Sequence, residues 1–155
     1  MVFIFSMRIF GDTFIPSLII DKIIGNAEVY KYWDPTEKRS EKENDIYDFG
    51  LIDIEPKIKC STGVSQIRYA KQFVKILEDN YVLFKNAGAD DISIYIEAYY
   101  DGLQCNFEIF DNKTLAEFAK YGVSLPISVY RMDVDKISAW EEEIENDWLL
   151  NGDLE

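Results

Sequence analysis

Residues 92–110 read ISIYIEAYYDGLQCNFEIF, and this stretch decides the predicted fold. Its first part alternates apolar and polar side chains with the period of two that is typical of a β-strand. The dipeptide Asp101-Gly102 follows, which favours the type I′ turn of a tight hairpin. A second alternating run occupies residues 103–109. A two-residue turn pairs position 100 with 103 and 98 with 105, and both pairs are apolar, so the pattern predicts a β-hairpin.

Further strands are predicted on both sides of this hairpin. Residues 2–10 are rich in β-forming side chains, 27–33 favour a short strand, and 48–55 alternate well. After the hairpin, residues 123–130 alternate again, and Pro126 predicts an edge position or a bulge because proline cannot donate to a ladder. Residues 34–45 are polar and mixed in charge, which predicts a loop.

Four helices are predicted between and after the strands. Pro16 stands at the N1 position of a stretch from Ser17 to Ile24. The longest helix runs from about Gln66 to Ala87, with apolar residues three and four apart. Asp111-Asn112 caps a short helix over 113–120, and 135–150 form the last helix. The predicted order is therefore β-α-β-β-α-β-β-α-β-α.

This order predicts an α+β fold, with an antiparallel or mixed sheet of about six strands and helices packed on one face. The polar, aromatic face of the hairpin then becomes the open side of the sheet. The 155 residues favour one domain over 1–132, followed by an acidic helix or tail over 133–155 that docks on it.

Several kinds of chemistry lack the residues they need. The chain has no histidine, which excludes Ser-His-Asp and Cys-His catalysis and histidine metal sites. Its two cysteines fall short of the four ligands of a structural zinc site, and no glycine-rich phosphate loop occurs. No catalytic residue, metal site or cofactor is therefore predicted from a motif.

The charge is strongly acidic and unevenly distributed. The formal net charge is −13, and residues 133–155 carry nine acidic side chains and one lysine. Such a surface repels nucleic acid and anionic membranes and speeds the encounter with basic proteins. No signal peptide and no apolar stretch of about 20 residues is evident, so cytoplasmic localisation is expected. The acidic tail could equally serve only solubility.

Two segments resemble a known bacterial family. One is MRIFG at residues 7–11, followed by Pro16 and an apolar helix that ends at Gly25. The other comprises FEIFDNKTL at 107–115 and AKYGVSLPISVY at 119–130. Over roughly residues 6–132 the chain resembles the bacterial domain of unknown function 4279 family. The resemblance implies a compact α+β fold and no established activity or catalytic residues. Some members of such small bacterial families resemble immunity proteins beside toxin genes, which is an association and not a mechanism.

One face of the predicted hairpin is a candidate binding surface. Tyr95, Glu97, Tyr99 and Glu108 share this face, and the aromatic residues suit protein recognition. Glu97 and Glu108 are also diagonal neighbours across the predicted ladder, about 7–8 Å apart. Two carboxylates at that distance could act as acid and base in glycoside hydrolysis, but they could equally be ordinary solvated acids.

The last helix has two interpretations that can hold together. Its apolar stripe comprises Ile137, Trp140, Ile144 and Trp148, which would dock on the domain. Its acidic residues would then present negative charge to a basic protein. They are Glu141, Glu142, Glu143, Glu145 and Asp147.

The sequence therefore favours an acidic, non-enzymatic protein-binding module of the bacterial cytoplasm. Its most concrete form is an immunity protein that occludes a basic toxin, for example a nuclease. One alternative is a carboxylate-dependent hydrolase that uses Glu97 and Glu108. Another is a structural domain that forms homo-oligomers, such as a homodimer, through the same sheet face. No nucleic acid, membrane or cofactor is expected among its partners.

Overall fold

The structure is a computed structural model and describes residues 1–25, 27–38, 46–56, 60–61, 66–104 and 108–151. Its strands are β1 (Val2–Gly11), β2 (Ala27–Trp33), β3 (Gly50–Pro56), β4 (Cys60–Ser61), β5 (Asp91–Tyr100) and β6 (Ile127–Arg131). Its helices are α1 (Gln66–Asn86), α2 (Asn112–Lys120) and α3 (Val134–Asn151). The predicted α+β class is confirmed.

The strands form one mixed sheet around β1. The five longer strands lie in the order β2-β3-β1-β5-β6, and the two-residue strand β4 pairs with β1 beside β3. β1 is antiparallel to both β3 and β5, whereas β5 and β6 are parallel. α2 makes the crossover between these two parallel strands, as parallel pairing requires. β6 is an edge strand, as Pro126 predicts.

The predicted hairpin after β5 is wrong. Both edges of β5 are occupied, by β1 along residues 91–99 and by β6 along 96–100. Residues 103–104 and 108–110 form no strand, and 105–107 lie outside the described residues. Asp101-Gly102 is a turn signal that any strand end can use. Strand periodicity identifies a strand's two faces without identifying its neighbours, so pairing with distant strands overrode the local pattern.

The main core lies between the sheet and the first two helices. On this face, which we call the α1 face, β1 and β5 contribute buried side chains such as Phe5 and Ile94. α1 contributes Phe73, Leu77 and Phe84. Because 3.6-residue periodicity brings residues three and four apart onto one side, this stripe makes α1 amphipathic. Phe118 of α2 completes the packing of this core.

α3 corrects the prediction that all helices pack on one face. Ile137 and Ile144 are buried against Val2, and Tyr99 and Trp140 pack beside them. Val2 precedes the core residue Phe3, so alternation along the strand turns it to the opposite side of the sheet. This side, which we call the α3 face, therefore carries a second, smaller apolar cluster.

The stretch after Pro16 is not the predicted α-helix. It forms two 3₁₀ turns, Pro16–Leu18 and Ile20–Lys22, separated by Ile19. The buried side chain of Asn80 accepts a hydrogen bond from the Ile24 amide at 2.8 Å and donates to the Ile24 carbonyl at 2.6 Å. Tertiary bonding to α1 thus takes the backbone groups that a continuing helix would use, and β-branched isoleucines add little helix propensity.

α2 begins where its capping residues predict. The Asp111 side chain accepts a hydrogen bond from the Thr114 amide at 2.8 Å, which satisfies one of the unpaired donors at the start of a helix. This bond lowers the pKa of the Asp111 carboxyl. Gly122, with a φ of 64°, then turns the chain back toward β5.

Candidate functional site

The α3 face consists of three parts that follow one another across the sheet. At one end α3 covers Val2 and Tyr99. At the other end the ring of Trp33 stacks on Tyr47 at 4.4 Å between centroids, with Phe49 at its edge. Charged side chains lie between these two aromatic groups. Strand register places them there, because Arg8 pairs with Asp53 on β3 and with Ser93 on β5.

The charged middle part is an ion-pair cluster centred on Asp53. The Asp53 Oδ2 atom accepts a hydrogen bond from Arg8 at 2.9 Å and lies 3.5 Å from Lys31 Nζ. The Arg8 guanidinium also lies 4.4 Å from the centre of the Tyr95 ring, which is a cation–π contact. Burial lowers the pKa of Arg8, but Asp53 and Tyr95 outweigh burial and raise that pKa above its ordinary value.

This cluster is built to hold the sheet. Arg8 Nε, Asp53 Oδ1 and Trp33 Nε1 are buried and have no hydrogen-bond partner among the described residues. The direct pairing of Arg8 and Lys31 with Asp53 argues that the cluster joins β1, β2 and β3.

Substituting Asp53 with alanine should destabilise the fold by about 2 kcal/mol, because it leaves the part-buried Arg8 guanidinium without its carboxylate. The loss is smaller than for a fully buried pair because the Arg8 and Lys31 side chains remain 30% and 45% exposed. Urea unfolding measures the change. Asp79→Ala is the control, since Asp79 pairs with Lys75 on the surface of α1. Equal midpoints for the two variants would contradict this role.

The predicted site residues on β5 lie on the α3 face. Tyr95 contacts Arg8, as described above. Glu97 accepts a hydrogen bond from the Tyr99 hydroxyl at 2.6 Å. The Tyr99 ring stacks on Tyr130 at 5.0 Å and meets Trp140 edge-on at 5.2 Å. Tyr99 is therefore part of the contact between the sheet and α3 instead of an open binding surface.

Glu108 does not join the other predicted site residues by the expected route. It is exposed and lies in the segment before α2, and the hairpin that would place it across from Glu97 is not formed. Glu97 instead lies between Ile4 of β1 and Ser128 of β6. The hydrolase alternative thus loses the cross-strand geometry on which the Glu97–Glu108 pair was predicted.

The acidic residues of α3 divide into two groups. Glu141 Oε1 accepts a hydrogen bond from the Met1 amino group at 2.9 Å, so this carboxylate is engaged within the domain. Glu142 and Glu143 are exposed. The side chains of Glu145, Asp147 and Trp148 lie outside the described part of the chain.

The strand that leads into α3 forms an exposed surface that the sequence did not mark. All five residues of β6 are exposed, and Ile127 and Val129 each keep 50% of their accessible surface. Val134, at the start of α3, is 55% exposed. The apolar alternation of 123–130 was a signal of strand structure, but it gave no hint that these side chains stay outside the core. We call residues 127–134 the β6 surface.

Over the described residues, no group of three or more acidic or cysteine side chains could hold a metal ion. The helices described here include none that combines the length and apolarity needed to cross a membrane. Comparison with protein-family models, with curated proteins and with solved structures finds no match. The resemblance to the domain of unknown function 4279 family stays a prediction.

Proposed function

We propose that this chain is an acidic, non-enzymatic module that binds a basic protein. The observation that carries the proposal is the β6 surface, an exposed edge strand with half-exposed apolar side chains that leads directly into acidic α3. Exposed apolar patches with a polar rim mark protein interaction sites more often than isolated exposed residues do. Ile127 and Val129, on the α1 face of the strand, and Val134 supply the apolar part. The segment that follows the strand supplies exposed negative charge from Asp133, Asp135 and Glu142.

The net charge of −13 supports a basic partner. Complementary charge raises the association rate at low salt and suppresses binding to acidic proteins. An acidic surface also disfavours nucleic acid, whose phosphates it repels.

The most concrete form of this proposal is an immunity protein of the bacterial cytoplasm. In this form the acidic surface finds a basic toxin, for example a nuclease, and blocks its active site by occlusion. Two features support it: the charge just described, and the resemblance of the sequence to a bacterial family. No catalytic group of this chain is needed, because the partner is inhibited by steric exclusion.

A homo-oligomerising structural domain is the alternative that the same surface favours. Exposed apolar residues on an edge strand can pair two copies of a chain. Sedimentation equilibrium separates the alternatives, since the module should remain at the 18.1 kDa mass of one chain. A stable dimer that hides β6 would contradict the binding proposal.

The direct experiment is affinity capture of the tagged chain from its native host at low and moderate salt. The proposal expects a stoichiometric basic protein that dissociates as the salt concentration rises. Purified together, the two proteins should form a complex in which the partner's toxicity or enzymatic activity is suppressed. Recovery of the tagged chain alone, under both salt conditions, would contradict the proposal.

Neutralising two exposed acids of α3 should slow association with that partner. We expect Glu142→Gln combined with Glu143→Gln to lower the association rate constant by about tenfold at low salt, with little change in the dissociation rate constant. Stopped-flow mixing measures both. The control is Asp21→Asn with Glu78→Gln, which removes the same charge from other exposed positions. Equal association rates for the two double variants would exclude a local role for α3.

A further inference from the structure

The two edges of the sheet differ in how they are protected. β2, at one edge, has a register shift between Val29 and Lys31 where it pairs with β3. It also carries the charged residues Glu28 and Lys31. Irregular pairing and charged side chains are devices by which natural proteins prevent another strand from adding to an edge.

β6, at the other edge, is less protected than β2. Its register with β5 runs without a shift from Ile127 to Arg131. Arg131, at its end, is the only charged residue of the strand. Pro126 lies just before it and, having no N–H to donate toward β5, ends the regular ladder on that side.

The backbone of β6 presents unpaired groups to solvent. The hydrogen bonds to β5 involve even-numbered positions: Ile96 donates to the Pro126 carbonyl at 3.0 Å, and Met132 donates to the Tyr100 carbonyl at 2.8 Å. In a parallel ladder the bonding residues of one strand alternate. The N–H and C=O groups of Ile127, Val129 and Arg131 therefore point away from the sheet, where no described residue pairs with them.

The charges around β6 favour one kind of occupant. Asp133 and Asp135 follow the strand and are exposed, and Glu97 lies beside Ser128 on β5. Arg131 and Lys136 are the nearby cations in this part of the sequence. A second copy would bring two chains of net charge −13 together, whereas a basic segment would be attracted.

We propose that β6 accepts an extended, basic segment of a partner protein as an additional strand of the sheet. Main-chain hydrogen bonds to Ile127, Val129 and Arg131 supply affinity, as in other cases of strand addition. Half-exposed Ile127 and Val129 contact apolar side chains of the added strand. The surrounding carboxylates favour lysine or arginine at the positions of that strand that alternate with the apolar ones. This inference rests on the proposed function and states how the module holds its partner.

The test uses the full chain and a short capped peptide of alternating lysine and valine. Binding is followed by amide hydrogen exchange and by NMR titration at low salt. The outward amides of Ile127, Val129 and Arg131 should exchange about tenfold more slowly at saturating peptide. The amides of Ser128 and Tyr130 already face β5 and serve as internal controls. The same peptide N-methylated at alternate residues should bind about tenfold more weakly.

A single substitution isolates the outward donor. Val129→Pro removes that N–H, and proline is tolerated on an edge strand when its nitrogen faces solvent. We expect it to weaken peptide binding about tenfold, while Val129→Ala, which keeps the N–H, should weaken it only about threefold. Far-ultraviolet circular dichroism checks that both variants fold. If Val129→Pro does not fold, the N-methylated peptide decides the question with the unaltered chain.

Three results would overturn the inference. The first is that the methylated and unmethylated peptides bind equally well. The second is that the peptide slows amide exchange at residues outside β6 and not within it. The third is that the outward amides become protected from exchange when the protein concentration rises without peptide, which would indicate pairing of two copies. Failure here is distinguishable from failure of the proposed function. If the captured partner binds Val129→Pro normally but binds the Glu142 and Glu143 double variant slowly, the module binds a basic protein by another surface.

Discussion

Replacing Gly50 with alanine is expected to destabilise the protein by at least about 3 kcal/mol, which is a large part of the stability of an ordinary domain. A Cβ atom at Gly50 would lie 1.9 Å from the Phe14 carbonyl oxygen and 2.9 Å from Pro16 Cδ. No real atom pair tolerates the first distance, so the backbone of β3 or of the Phe14 corner must move.

The surroundings of Gly50 oppose such a movement. The Phe14 side chain is fully buried, and the Ile15 amide donates to the Ala87 carbonyl at 3.0 Å, which ties the corner to the end of α1. A shift of the corner therefore disturbs the core and the helix end together. Over-packing of this kind usually costs about 1–3 kcal/mol and occasionally more. Here the added atom meets backbone instead of a flexible side chain, so the cost reaches or exceeds the upper end of that range.

Chemical denaturation of the variant and of Gly102→Ala measures the effect. At Gly102 the nearest atom to an added Cβ is 3.4 Å away, an ordinary contact, so this control should change stability by no more than about 0.5 kcal/mol. Similar denaturation midpoints for Gly50→Ala and the unaltered chain would show that Phe14 and β3 can separate at little cost.

Truncating Phe5 to alanine is the second large effect, and we expect a loss of about 3–5 kcal/mol. Phe5 is buried on the α1 face, with its ring centre 6.2 Å from Phe3, 6.5 Å from Phe73 and 6.0 Å from Phe110. It therefore joins the central strand to α1 and to the segment before α2. Its removal costs both the transfer free energy of the ring and the contacts around the cavity that remains.

Thermal unfolding should show a fall of about 10 °C or more for Phe5→Ala. Leu103→Ala is the matched control, since Leu103 is also a large apolar residue but is 91% exposed. Its melting temperature should stay within about a degree of that of the unaltered chain. A fall for Phe5→Ala no larger than that of Leu103→Ala would mean that β1 is not the centre of the core.

Local patterns predicted most individual elements of this fold. Periodicity located α1, α3 and the long strands, and Asp111 located the start of α2. Local patterns did not predict which strands pair with each other when those strands are far apart in the sequence. Residues 91–100 read as one half of a hairpin, but they pair with β1 from far earlier in the chain and with β6 from later. Strand alternation defines two faces and leaves the neighbour undetermined.

The candidate site was predicted in part for the same reason. Tyr95, Glu97 and Tyr99 share a face, as alternation requires. Tyr99 packs between Tyr130 and Trp140 because β6 pairs with β5 in parallel register and α3 docks on the sheet. No local sequence pattern encodes that register or that docking. Arg8 was a usable signal, since a cation inside an apolar strand needs a partner, but its partner Asp53 is 45 positions away.

The central position of β1 also bears on how the chain folds during synthesis. β1 leaves the ribosome before its neighbours β3 and β5 and before α3, which covers Val2. At roughly 5–20 residues per second, the interval between β1 and β5 is on the order of ten seconds. During that time a strand rich in phenylalanine and isoleucine lacks its partner on the β5 side. A nascent chain of this topology is therefore a natural substrate for chaperones that bind apolar segments at the ribosome exit.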